Sequence, residues 1–249
     1  MERDRLVLAL DRLLGTEEVE DCSLNGLQVE GPEEIELIAF AVDASLAAIE
    51  EAVDLGAGLL IVHHGLFWRS PQRVTGPLYK RLRACIQGNL GLYASHLPLD
   101  LHPRLGHNAT IARLLGLEEV KPFGSHEGIR IGFGGTLPQA LSLESVSRLW
   151  EGLTPEPWRI LPVKDSVRRI AVVSGEGASF VEEAAQEGYD LLLTGETSHT
   201  AFHSAREWGV SVLFAGHYAT ETFGLRSLQE YVEREFSLKT RFISLPTKM

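Results

Sequence analysis

Two stretches of this chain can be laid over each other without a gap, and that relationship limits the folds open to it more than any other feature. The first, IAFAVDASLAAIEEAVDLGAGLLIVHHG, begins at Ile38, and the second, IAVVSGEGASFVEEAAQEGYDLLLTGET, begins at Ile170. Ile38 falls on Ile170, Glu50 and Glu51 on Glu182 and Glu183, Gly56 on Gly188, and Leu59 and Leu60 on Leu191 and Leu192. Each copy opens on a short apolar run, continues with apolar residues at helical spacing and closes on a second apolar run. That is the grammar of a strand, a helix and a buried strand. Any two amphipathic segments of this kind agree to some extent through composition; the paired glutamates and the shared glycine favour duplication.

The expected fold is therefore α/β, with two similar αβ units related by a pseudo-twofold and a metal site in the cleft between them. Pattern and punctuation predict a strand over 35–42, a helix over 45–55, a buried strand over 59–62, a helix over 77–87, a strand over 92–95 and a helix over 108–115. The Pro- and Gly-punctuated stretch PFGSHEGIRIGFGG, residues 122–135, reads as a boundary. It divides the chain into a first unit over 1–124 and a second over 125–249.

With 249 residues, 44% of them hydrophobic, the chain can bury a substantial core. MERDRLVLALDRLLG at the start carries charges inside its apolar pattern and reads as an amphipathic helix rather than a secretion signal. No apolar run approaches the roughly 20 residues that span a bilayer, so a soluble cytoplasmic protein is expected, with no membrane contact. The formal net charge of -11 argues against a nucleic-acid footprint and is compatible with divalent cations. Cys22 and Cys85 have no CxxC spacing, which points away from a disulfide framework and from a thiolate zinc site.

Chemistry collects where apolar strands end. His63 and His64 follow Gly58-Leu-Leu-Ile-Val; LYASHLPLD ends with His96 and Asp100; VLFAGHYATE ends with His217 and Glu221. Open α/β sheets bind their ligands at the carboxyl ends of strands. In a helical turn the His-x-x-x-carboxylate spacing puts imidazole and carboxylate on one face, and the duplication predicts His96 and His217 at matching positions. Adjacent residues of an extended strand point to opposite sides, so His63 and His64 are expected to serve two ions rather than chelate one. Nitrogen and oxygen donors without thiolate suit zinc, iron or manganese, and two divalent ions per subunit are expected. His96 is either a direct ligand or a holder of the Asp100 loop. Glu196 and His199, at the strand end matching His63 and His64, are further candidates, against the alternative of an exposed helix start. Arg69 and Arg73 could hold phosphate, whereas Lys80 and Arg81 fit a solvated helix face equally well; Phe67 and Trp68 are either lining or core.

SLNGLQVEG from Ser23, VHHGLFW from Val62, SHLPLDLH from Ser95 with GHN from Gly106, and GHYATE from Gly216 together resemble the dinuclear metal-centre hexameric proteins known as GTP cyclohydrolase 1 type 2 homologues. The resemblance covers nearly the whole chain and matches the short form without an inserted middle domain. It implies that His64 and Asp100 hold one metal, His63 and His217 the other, with Glu221 bridging as the residue closest to catalysis. It also implies a toroidal homohexamer. The family commonly carries a His pair after the second-unit strand, where this chain has His199 followed by Thr200, so no second imidazole is carried over there.

The activity the resemblance implies is hydrolytic opening of a guanine nucleotide, with a metal-bound hydroxide attacking C8 of the purine. The same ligands would serve a phosphatase or phosphodiesterase, and a metal-holding scaffold or regulatory hexamer is the alternative of a different class. Product formation separates them.

Overall fold

A computed structural model describes residues 1–248, which form two compact units. The first comprises residues 1–105 and 224–245, and the second 106–223 together with the residues from Pro246.

The first unit begins with α1 (Arg3–Leu14), whose buried Leu6, Leu10 and Leu14 repeat every fourth residue and make the single apolar stripe of a surface helix. There follow β1 (Gly26–Val29), β2 (Leu37–Asp43), α2 (Leu46–Asp54), β3 (Leu59–His64), α3 (Gly76–Gln87), β4 (Gly91–Ala94) and α4 (Leu97–Leu101). β2, β3 and β4 are parallel, and β1 closes the β4 edge antiparallel. Ser45 caps α2 by accepting from the Ala48 amide at 3.1 Å. Ala39, Ala41, Leu60, Val62 and Leu92 share one apolar cluster with Ile49 of α2 and Cys85 of α3. All the elements expected from residue 35 to residue 95 are present within a residue or two.

The second unit runs α5 (His107–Leu114), β5 (Glu118–His126), β6 (Ile129–Ser142), α6 (Leu143–Glu151), β7 (Arg159–Leu161), β8 (Ser166–Val173), α7 (Val181–Gln186), β9 (Leu191–Thr194), α8 (His199–Trp208), β10 (Ser211–Phe214) and α9 (His217–Thr220). Its sheet order is β5-β6-β8-β9-β10-β7, with β8, β9 and β10 parallel. Ile170 and Val172 face one apolar cluster and Ala171 and Val173 the other, so β8 is covered on both faces, as parallel sheets require. The chain returns to the first unit within α10 (Thr222–Phe236), at Gly224, and ends its regular structure with β11 (Lys239–Phe242) parallel to β2.

The division differs from the sequence reading: the units part after Leu105, not at 124. The Pro/Gly-rich stretch is no linker. It is a hairpin in which His126 faces Ile129 and Phe123 faces Gly132. Glu127 and Gly128 at its tip have φ of 47° and 88°, the pair of positive angles that matches a two-residue turn to strand twist. Gly134 is glycine because a Cβ there would stand 2.2 Å from the Tyr189 hydroxyl.

The duplication is written into the hydrogen-bond ladders. Ile38 pairs with Leu59 and Ile170 with Leu191; Val62 pairs with Ala94 and Thr194 with Phe214. Ala57 N bonds to Ala52 O as Tyr189 N bonds to Ala184 O, around Gly56 and Gly188 at φ 73° and 77°. The shared glycine thus marks a shared left-handed turn. Among the described residues, no helix is long and apolar enough to cross a membrane.

Candidate metal centre

In the first unit the carboxyl ends of β2, β3 and β4 carry Asp43, His63 and His64, and the Ser95-His96 pair. His63 is fully buried, and its Nδ1 donates to the Ser95 carbonyl at 2.9 Å. Its Nε2 lies 3.6 Å from Oδ2 of Asp100, which α4 holds at 7% exposure. His64 donates from Nδ1 to Asp43 Oδ1 at 2.9 Å. His96 donates from Nδ1 to both oxygens of Asp21, at 2.9 and 3.1 Å. One donor atom from each of His63, His64 and His96 lies within 4.8 Å of the others, a spacing that could hold a metal ion.

One expectation fails here. The imidazoles of His63 and His64 do not diverge: their centroids are 4.7 Å apart, because His64 ends its strand and is drawn towards Asp43. The resemblance pairs Asp100 with His64, and the imidazole beside Asp100 here is that of His63.

Asp21 is a residue that sequence reasoning missed. Besides His96 it accepts from the amides of Ser23 and Leu97 and from the side chain of Asn25, at 2.9–3.0 Å. Burial raises its pKa, but the His96 hydrogen bond and charge and the other donors outweigh this and hold the carboxyl well below the usual range. Cys22, Asp21 and His96 also cluster within metal reach, but the Cys22 thiol is pushed up by burial and by Asp21, and the Asp21 oxygens are committed to their donors. Asp21 and His96 therefore read as a brace. Trp68 lies against this brace, 5.2 Å from the His96 ring and 6.1 Å from His64, and lines the site; Phe67 packs on the core. Arg69 stands 3.6 Å from Glu20 and is exposed, as are Arg73 and Lys80.

In the second unit α9 makes the expected one-face pair: His217 Nε2 lies 3.0 Å from Glu221 Oε1, four residues on. His217 Nδ1 donates to Glu196 Oε1 at 2.5 Å. Burial disfavours charge on this ring, yet hydrogen bonds and charges from Glu221 and Glu196 prevail and raise its pKa to about 9. Gly175, at φ 61°, makes room for the pair, since a Cβ there would meet Glu221 Oε1 at 2.4 Å and His217 Nε2 at 3.2 Å. His199 is exposed at the start of α8, its ring 5.6 Å from His203, as a surface helix start would be.

The two His-carboxylate motifs are not at matching positions. The ladder aligns Ala94 with Phe214, so His96 matches Gly216 and His217 matches Leu97. His96 caps its helical turn, while His217 begins the next one behind a Gly216 cap at φ 89°. The carboxylates stagger with them.

One rule runs through both units: each of the four imidazoles donates from Nδ1 to an oxygen, which fixes the ring and presents Nε2. Metal-ligating histidines are oriented in this way, by a carbonyl or carboxylate on the other nitrogen. With one donor atom from each of His63, His64 and His96 within reach of the others, the strand ends of the first unit could hold a metal ion.

Fold and side chains define a two-unit α/β protein with histidines and carboxylates gathered at the ends of duplicated strands. The chain belongs to the Duf34/NIF3 (NGG1p interacting factor 3) family, whose model matches residues 1–248. It is 47% identical over 246 residues to a Deinococcus radiodurans protein named GTP cyclohydrolase 1 type 2 homolog, covering 98% of this chain and 94% of that one. A Pyrococcus abyssi protein of the same name is 44% identical, with 99% of each chain covered. The crystal structure of a Thermus thermophilus protein superposes with a TM-score of 0.93 at 37% identity over the whole of both chains.

Proposed function

We propose that this protein is a dinuclear metal-dependent hydrolase acting on a nucleotide. The supporting observation is the set of Nδ1 bonds from His63, His64 and His217 to Ser95 O, Asp43 and Glu196, which orient Nε2 for a ligand. His63, His64, Asp100, His217 and Glu221 would hold two divalent ions, and zinc, iron(II) and manganese all suit nitrogen and oxygen donors. Divalent ions held there would supply Lewis-acid chemistry, lowering the pKa of bound water and offsetting negative charge on the substrate.

The chain's own residues do the rest. Asp43, Ser95 and Glu196 fix three rings, Asp21 fixes His96, and Gly175 leaves Glu221 its place. Trp68 offers an aromatic wall beside His64. Nucleotide chemistry is favoured over other hydrolysis by the name that the relatives carry. The assembly is proposed to be a toroidal homohexamer of the 27.4 kDa chain, which light scattering reads directly.

The test is hydrolysis of GTP and of a phosphoester panel with each metal, comparing wild type with Glu221→Gln. That variant keeps the shape and replaces a charged ligand with a weak neutral one. A ring-opened purine product lost in the variant supports the reading; phosphate release alone moves it to phosphatase chemistry. Metal binding without product from any substrate would leave a scaffold.

A further inference from the structure

The second unit holds a cavity of about 350 Å³ at the carboxyl ends of β9 and β10. Its walls include Trp158 and Phe214, its charged rim Arg159 and Lys248, and its floor Gly195 and Gly216. Edge strand β7 builds the rim, with Arg159 directly opposite Phe214 in the β10–β7 ladder. The floor is the back of the turns that carry Glu196 and His217. Gly195 cannot be larger, because a Cβ there would lie 2.7 Å from the Gly175 carbonyl and 2.7 Å from His217 Cα.

The lining combines two chemistries. Flat aromatic faces bind planar rings, and small-molecule sites are mostly apolar walls with a few placed polar groups. Arg159 and Lys248 add two cations on a chain of net charge -11, and among the described residues neither forms an ion pair that would neutralise it. Two cations unsatisfied by carboxylates, beside aromatic walls, fit an aromatic anion.

We propose that this cavity binds a nucleotide, with Trp158 and Phe214 taking the base and Arg159 and Lys248 the phosphates. The inference rests on the nucleotide reading of the metal centre and gives it a substrate pocket next to His217. Guanidinium and ammonium groups on phosphate form charge-assisted hydrogen bonds.

The experiment is calorimetric titration of the metal-loaded full chain with GTP, guanosine and inorganic triphosphate, in wild type and in Arg159→Gln, Lys248→Gln, the double variant and Trp158→Leu. Both cations are exposed, so their variants should fold as wild type does. Each single cation variant should weaken GTP about tenfold, and the double more than either, with guanosine unchanged. Trp158→Leu should weaken guanosine. Equal GTP affinity in wild type and the double variant overturns the pocket. If GTP is then still hydrolysed, the proposed function stands without it. Weakened GTP binding in the variants with no product from wild type leaves the pocket and removes the hydrolase. Absence of any nucleotide binding removes both.

Discussion

Asp43 and His64 are cross-strand partners in the β2–β3 ladder, and their side chains meet at 2.9 Å between Oδ1 and Nδ1. The ladder thus delivers the orienting carboxylate to the imidazole with no loop in between. In the second repeat the matching pair is Gly175 and Glu196, where the carboxylate has changed strand and the glycine has yielded its space to Glu221. One backbone therefore supports two different ways of holding a ring.

Asp43→Ala should weaken metal binding roughly 10–100-fold, the usual effect of removing a group that orients a ligand. Its side chain is 45% exposed, so stability should change little. Competition against a chromophoric chelator, alongside thermal melting, separates the two effects. Unchanged affinity would show that His64 needs no orienting partner.

Gly175→Ala should do more. A left-handed angle costs a non-glycine residue about 1–2 kcal/mol, and the new methyl would displace the Glu221 carboxylate. The control is Gly56→Ala, at φ 73° with nothing within 4 Å of the added carbon. Both variants should lose stability, but metal content should fall only in Gly175→Ala. Equal metal loss in both would assign the effect to backbone strain alone.

The duplication, the strand-helix-strand elements and His217 with Glu221 are legible in the sequence because apolar periodicity and helical spacing are local. Asp43 does not stand out as a partner of His64, although the aligned copies imply the ladder that joins them; the signal is present once register is considered. Asp21 is hidden for a stronger reason, since its contact with His96 depends on a turn folded far from it in sequence. The boundary is misplaced by the sequence because glycines needed for close packing, such as Gly134 against Tyr189, look the same there as glycines of a linker. The convergence of His63 and His64 depends on where a strand ends, which periodicity fixes poorly.

Stability should fall with acid through Asp190. Its carboxylate pairs with Lys164 Nζ at 2.6 Å and accepts from the amides of Arg168 and Arg169 at 2.9 Å. Partial burial raises its pKa, but Lys164 and the two amides prevail and lower it from the ordinary 3.8. A group lowered on folding stabilises the protein above its unfolded value, and that contribution is lost as pH drops below about 3.8 towards the folded value. Asp190→Asn should cost about 1–2 kcal/mol at neutral pH and flatten the acid-side decline. Chemical denaturation from pH 3 to pH 7 checks this, and parallel curves for variant and wild type would count against it.

The ion count is the last expectation, and strand geometry no longer supports it, since His63 and His64 converge. Donor supply does. A single zinc or manganese ion in a hydrolytic site commonly takes three protein ligands and leaves a position for water, whereas His63, His64, Asp100, His217 and Glu221 exceed that need. The two carboxylates are buried, at 7% and 4% exposure, and divalent ions would stabilise anions held out of water. Elemental analysis after reconstitution should therefore give about two ions per chain. His63→Ala and His217→Ala should each lower that number while circular dichroism stays unchanged, because the backbone hydrogen bonds of β3 and α9 do not involve the imidazoles. A wild-type value of one would remove the dinuclear reading.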